Sequence, residues 1–236
     1  MSSAVTRTVE PVERESAVGE DTAAFRDMRH AMVTSQLRTN AVSDQRVVAA
    51  MARIAREDFV PADARAIAYR DTALPAGNGR MINPPMATGR LLTEAYLLAA
   101  DRVLLIGAAG GYAAAILSDI VAEVVAVEHD PALRALAQRA TEGLAGVTLI
   151  DAPLTQGCAE RGPYDVLVVD GAVEAVPPAL VAQLKPGARI VTGLLERGVT
   201  RLASGRRTDA GFGVAPFVDS ECVVLPGFSA PPAFRF

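Results

Sequence analysis

The chain has 236 residues, half of them hydrophobic, with 27 acidic and 23 basic side chains and a net charge of −4. That length supports one large domain with extensions, and the lack of a long basic run argues against a nucleic-acid surface. Cys158 and Cys222 are too few for a disulfide framework, so a reducing cytoplasm is the expectation. Glu10, Glu13 and Glu15 interrupt the start, which lacks the apolar stretch of a secretory signal. No uncharged apolar run reaches the length of about 18 residues that a membrane span needs.

Residues 1–24 are polar and charged without apolar periodicity and read as a disordered tail. Phe25, Met28, Met32 and Leu37 then recur at helical spacing. Ser43 is expected to cap a second helix whose apolar stripe is Val47, Val48, Met51 and Ile54. Pro61 ends this helical pair, because the residue before a proline avoids helical backbone. Residues 69–86, rich in glycine and proline, read as a loop of a length usually reserved for function or disorder. A third helix is expected over 87–99, so residues 25–100 form a helical cap with a loop.

Residues 101–225 read as a sheet core. Strands are expected near 102–107, 123–128, 147–150, 165–170 and 188–194, with helices near 111–120, 131–143 and 178–184. Continuous aliphatic runs mark strands buried on both faces, and Pro131 suits the first turn of its helix. The alternation predicts an α/β, mostly parallel, doubly wound sheet. Beyond Gly198 the pattern changes: Val199–Arg207 and Phe217–Leu225 read as strands of an antiparallel edge, joined by a turn over Thr208–Gly213. Residues 226–236 form a proline-rich tail whose phenylalanines are expected to pack on the body.

Chemistry concentrates where Arg102-Val-Leu-Leu-Ile-Gly-Ala-Ala-Gly-Gly-Tyr112 runs into the second strand, which ends in Glu128. A strand, a glycine-rich turn and a helix hold nucleoside-bearing cofactors at the carboxyl edge of a parallel sheet, where an acid at the next strand's end accepts from ribose hydroxyls. Glu128 lies 21 residues after Gly107, close to the usual offset of about 20. Ala109 breaks the standard glycine spacing. The alternative from these residues alone is a buried βαβ unit that binds nothing.

Several segments in order extend this reading. They are Ser35-Gln-Leu37 with Ser43–Met51, Arg56-Glu-Asp-Phe-Val-Pro61, Ala68–Gly77, Pro163–Val169 and Val176–Gly187. With them the chain resembles the protein-L-isoaspartate O-methyltransferases from about Met32 to Leu202. The resemblance implies a Rossmann-like fold, S-adenosylmethionine as methyl donor, and isoaspartyl residues of damaged peptides or proteins as acceptors. It assigns Gly107, Gly111 and Glu128 to the cofactor and Asp151 to the adenine. Ile82 and Asn83 would position the substrate carboxylate. A carboxylate is already ionised at neutral pH, so transfer needs alignment more than a general base, and neither His30 nor His129 is expected to be catalytic. The chain departs from the family pattern at Leu105 (an acid), Ala109 (a glycine), Ala152-Pro153-Leu154 (Gly-Asp-Gly) and Asn83 (a serine). These departures keep a second reading open: a non-catalytic relative that binds protein chains through the same cleft.

Overall fold

The computed structural model describes residues 12–229. Its centre is a seven-stranded sheet of β3 (Arg102–Ile106), β4 (Glu123–Val127), β5 (Val147–Ile150), β6 (Tyr164–Val173), β7 (Leu184–Glu196), β8 (Val199–Thr208) and β9 (Gly211–Asp219). The spatial order is β5-β4-β3-β6-β7-β8-β9. The first five are parallel, and β8 and β9 add antiparallel to β7. After β5 the chain crosses to the far side of β3. The carboxyl ends of β3 and β6 therefore flank a topological switch point, where a crevice opens in doubly wound sheets.

Side chains alternate along β3. Val103 and Leu105 enter the core under the helical cap, whereas Leu104 and Ile106 join Leu167, Val169 and Leu180 on the opposite face. The cap holds α1 (Val12–Ala31), α2 (Gln45–Arg53) and α3 (Pro85–Glu94), and α4 (Tyr112–Ser118) packs on the same face. Two further helices, α5 (Pro131–Ala140) and the single turn α6 (Pro178–Val181), follow β4 and β6.

Local chemistry moves several expected boundaries. The described part of α1, from Val12, already lies inside the segment read as a disordered tail; its glutamates, arginines and alanines favour helix without an apolar stripe. Residues 1–11 of that segment lie outside the described residues. After Ala31 the helix widens into a π-turn over Met32–Leu37, which buries Met32 and Leu37. The cap of α2 is Asp44 rather than Ser43, its carboxylate accepting from the Arg46 amide. α3 stops at Glu94 instead of reaching 99, and Tyr96 takes a left-handed conformation just beyond it. The expected last strand shifts towards the amino terminus. Thr208 already pairs with Gly211, and β9 ends at Asp219; the absence of a side chain on Gly205 lets the β9 backbone approach it closely. Phe228 of the tail is buried, while Phe234 and Phe236 lie outside the described residues.

The cap is seated on the sheet by a backbone contact. A short 3-10 turn over Arg56–Phe59 brings the Phe59 carbonyl so close to Gly110 that a methyl group there would lie 1.9 Å from its oxygen. Backbone cannot yield as a flexible side chain can. Gly110→Ala is expected to lower stability by at least about 2 kcal/mol, read as a shift of the urea midpoint. An unchanged midpoint would mean that the cap is not held by this approach.

Candidate active site

The crevice at the switch point is floored by the turn after β3. Gly107 has φ of +76°, Ala109 +46° and Gly111 +95°. Gly107 is covered by the carboxyl-terminal strap: a methyl group on it would meet Leu225 at 2.9 Å and then the Asp170 carbonyl. Gly111, also expected at the cofactor, starts α4 instead and is packed against Ala137 and Thr141 of the α5 region. Ala109 holds a conformation that costs an L-residue about 1–2 kcal/mol, and its amide donates to Glu128. Leu105 is fully buried beneath the cap.

Glu128 ends β4 with a fully buried carboxylate. It accepts from the amides of Ala109 at 2.9 Å and of His129 and Asp130 at 3.0 Å each. Arg80 completes the set as a two-pronged ion pair at 2.8 and 3.1 Å. Beside this group lies a cavity of about 530 Å3 lined in part by Asn78, Arg80, His129, Asp151 and Pro153. Asp151 is half-exposed on that wall, and its carboxylate is engaged by Arg134 and by His129 Nδ1.

Arg80 belongs to a hairpin inside the segment expected to be a loop. β1 (Leu74–Gly77) and β2 (Arg80–Ile82) are joined at Asn78 and Gly79, with φ of +52° and +72°. Asn-Gly is the strongest short signal for such a turn, so the hairpin was legible; its short, proline-bearing arms obscured it. The hairpin leads into Ile82 and Asn83, both buried. The Asn83 amide donates to Asp170 at 2.8 Å and accepts from the Val223 amide at 2.8 Å. Its carbonyl accepts from the buried Arg56 guanidinium at 2.6 Å, which also donates to the Ala68 carbonyl and stacks on Tyr112. Residues 223–225 form a strap along the end of β6, bonded both ways to Ala172, and Leu225 is pressed against Gly107 and Gly171.

Sequence reasoning therefore finds Gly107, Glu128, Ile82 and Asn83 around one crevice, with Asp151 on the wall of the adjoining cavity and Gly111 in a packing position. It misses Arg56, Arg80, Asp170 and Leu225. Arg56 enters only as the start of a matching segment and Arg80 only as part of the long loop, and Asp170 merely as the end of a strand.

This sheet order and crevice define the Rossmann-like fold of the S-adenosylmethionine-dependent methyltransferases. The family model for protein-L-isoaspartate(D-aspartate) O-methyltransferase matches residues 27–214. A protein-L-isoaspartate O-methyltransferase of Roseiflexus castenholzii is 41% identical over 186 residues, 78% of this chain and 85% of its own. Its counterpart in Methanoculleus marisnigri is 38% identical over 165 residues, 69% of this chain and 75% of its own. A solved protein-L-isoaspartate O-methyltransferase superposes with a TM-score of 0.73 at 25% identity, covering 84% of this chain and 66% of that one. The chain belongs to the protein-L-isoaspartate O-methyltransferase family.

Asp170 also makes a testable electrostatic feature. Burial raises its pKa above the ordinary carboxylate value, opposed by the hydrogen bonds from Asn83 and Thr88 and by the nearby Arg56 charge. A raised folded-state pKa means that the folded chain holds the proton longer than the unfolded one. The contribution of this group to stability is then greatest below about pH 4, the unfolded value, and declines as pH rises to the folded value. Asp170→Asn keeps an acceptor for both donors and removes this slope. Urea midpoints across pH 4–8 should show the variant gaining on the native chain as pH rises; a relative loss at pH 8 would show that the site requires an anion.

Proposed function

We propose that this chain transfers the methyl group of S-adenosylmethionine to the free carboxylate of isoaspartyl residues in damaged proteins. The observation that supports this most is the extent of the family match, which runs through the cap, the Ile82–Asn83 segment and the sheet up to β9. When bound, the donor supplies a methyl group on a positively charged sulfonium, so the acceptor carboxylate needs no prior deprotonation at neutral pH.

The residues present fit the nucleoside half of that donor. The positive φ of Gly107 gives the turn after β3 its tight shape, Glu128 stands where ribose hydroxyls need an acceptor, and the neighbouring cavity has room for a base. Ile82 and Asn83 would border the acceptor, with Asp170 and Arg56 fixing the orientation of Asn83. The burial of this cluster keeps water from the reacting groups, and rigid placement supplies most of the rate in a direct transfer. The non-catalytic alternative gains no support, since the relatives reported above all carry the enzyme's name.

Incubation with radiolabelled donor should methylate an isoaspartyl peptide and leave the matching aspartyl peptide unlabelled; equal or absent labelling would refute the assignment. Asn83→Ala should reduce kcat/KM for the peptide at least tenfold, about 1.4 kcal/mol of transition-state stabilisation. Its affinity for S-adenosylhomocysteine should change less than about threefold, since Asn83 has no assigned donor contact. A variant with native kcat/KM would remove Asn83 from the substrate site.

A further inference from the structure

Resting on the donor site proposed above, we infer that Arg80 is a gate residue: it occupies the ribose acceptor Glu128 from within the chain, and donor binding must displace it. A carboxylate offers about four acceptor positions. Three backbone amides and the two prongs of Arg80 present five donors to Glu128, at 2.8 to 3.1 Å. No acceptor capacity remains for a ribose diol while Arg80 stays. Glu128 is fully buried, and the Arg80 side chain that covers it is 12% exposed, forming the wall between the carboxylate and the cavity.

The surroundings suit a movable cover. Arg80 sits one residue beyond the two-residue turn of the β1–β2 hairpin, so its position follows that of the hairpin tip. Methyl groups at Gly77 and Gly79 would meet nothing within 4 Å, so the tip is not packed against the body there. The other tie at the tip is a long contact of 3.4 Å from the Asn78 amide to Asp130. Leu74, Ala76 and Ile82 hold the hairpin's arms in the core, so the ion pair is the main polar fastening of its tip over the crevice. The three amides remain on Glu128 when Arg80 leaves, so the carboxylate keeps partial compensation and stays oriented for a hydroxyl pair.

The exchange is unequal. The gate gives up a charge-assisted, two-pronged pair, and the ribose returns two neutral hydroxyl donors. Arg80 therefore lowers donor affinity without touching the donor. The same hairpin runs directly into Ile82 and Asn83, so opening at Arg80 is connected through three residues of chain to the proposed substrate segment.

The test uses the full chain and S-adenosylhomocysteine. Arg80→Gln, which retains polarity but not charge, should bind this probe at least tenfold more tightly by calorimetry than the native chain. Arg80→Lys, a point charge without the fork, should fall between them. Hydrogen exchange without any ligand supplies a second reading: amides of residues 74–82 should exchange faster in Arg80→Gln. Equal or weaker binding by a folded Arg80→Gln chain, or unchanged exchange in the hairpin, would overturn the gate. Silence from all three chains at millimolar probe would remove the donor site and the gate together. Binding in the stated order without methylation of an isoaspartyl peptide would remove only the proposed reaction.

Discussion

The architecture around the crevice depends on one buried carboxylate. An ionised group out of water is costly unless it is paired and hydrogen-bonded, and Glu128 meets that demand by collecting donors from three separate parts of the chain. The Ala109 amide ties it to the turn after β3, the His129 and Asp130 amides to the start of α5, and Arg80 to the hairpin. These constraints bring the glycine-rich turn, the entrance of α5 and the hairpin to one point. They also explain why Ala109 holds a left-handed backbone: relaxing it would withdraw an amide from a buried anion.

A second buried ion organises the other side of the crevice. The Arg56 guanidinium is 1% exposed, and burial lowers its pKa while neighbouring Tyr112 and Asp170 oppose that shift. Its donors go to backbone carbonyls at Ala68 and Asn83, so it works as a clamp on the two ends of the segment that carries the hairpin. Asn83 passes the constraint on, to Asp170 on β6 through one amide atom and to the carboxyl-terminal strap through the other. The strap in turn seats Leu225 against Gly107. Cap, sheet and strap are thereby joined through a handful of polar groups, each of which costs stability if its partner is removed.

Much of this was legible in one dimension. Aliphatic runs and glycine-rich turns placed β3, β4 and β6, and Pro131 marked the start of α5, because hydrophobic period and proline chemistry are local properties. Glu128 stood out because a strand-end acid at a set distance from a glycine turn is a local pattern, and the structure buries its carboxylate beside the crevice. Gly111 shows what one dimension omits. Its positive φ is real, yet what it accommodates is a neighbouring helix, and a sequence records the need for glycine without recording which neighbour imposes it. Asp151 likewise belonged to the right region, but Arg134 and His129 claim its carboxylate.

The sequence by itself determined the fold class, the family and the alternation of strands and helices in the sheet core, since each follows from periodicity or from an ordered set of motifs. Only the tertiary structure decided which polar groups meet. Arg80 and Glu128 are 48 residues apart, Asn83 and Val223 are 140 apart, and Asn83 and Asp170 are 87 apart. No local rule links such pairs: they form because a crossover at the switch point, a two-residue turn and a returning strap deliver them to the same few ångströms, where burial makes pairing obligatory.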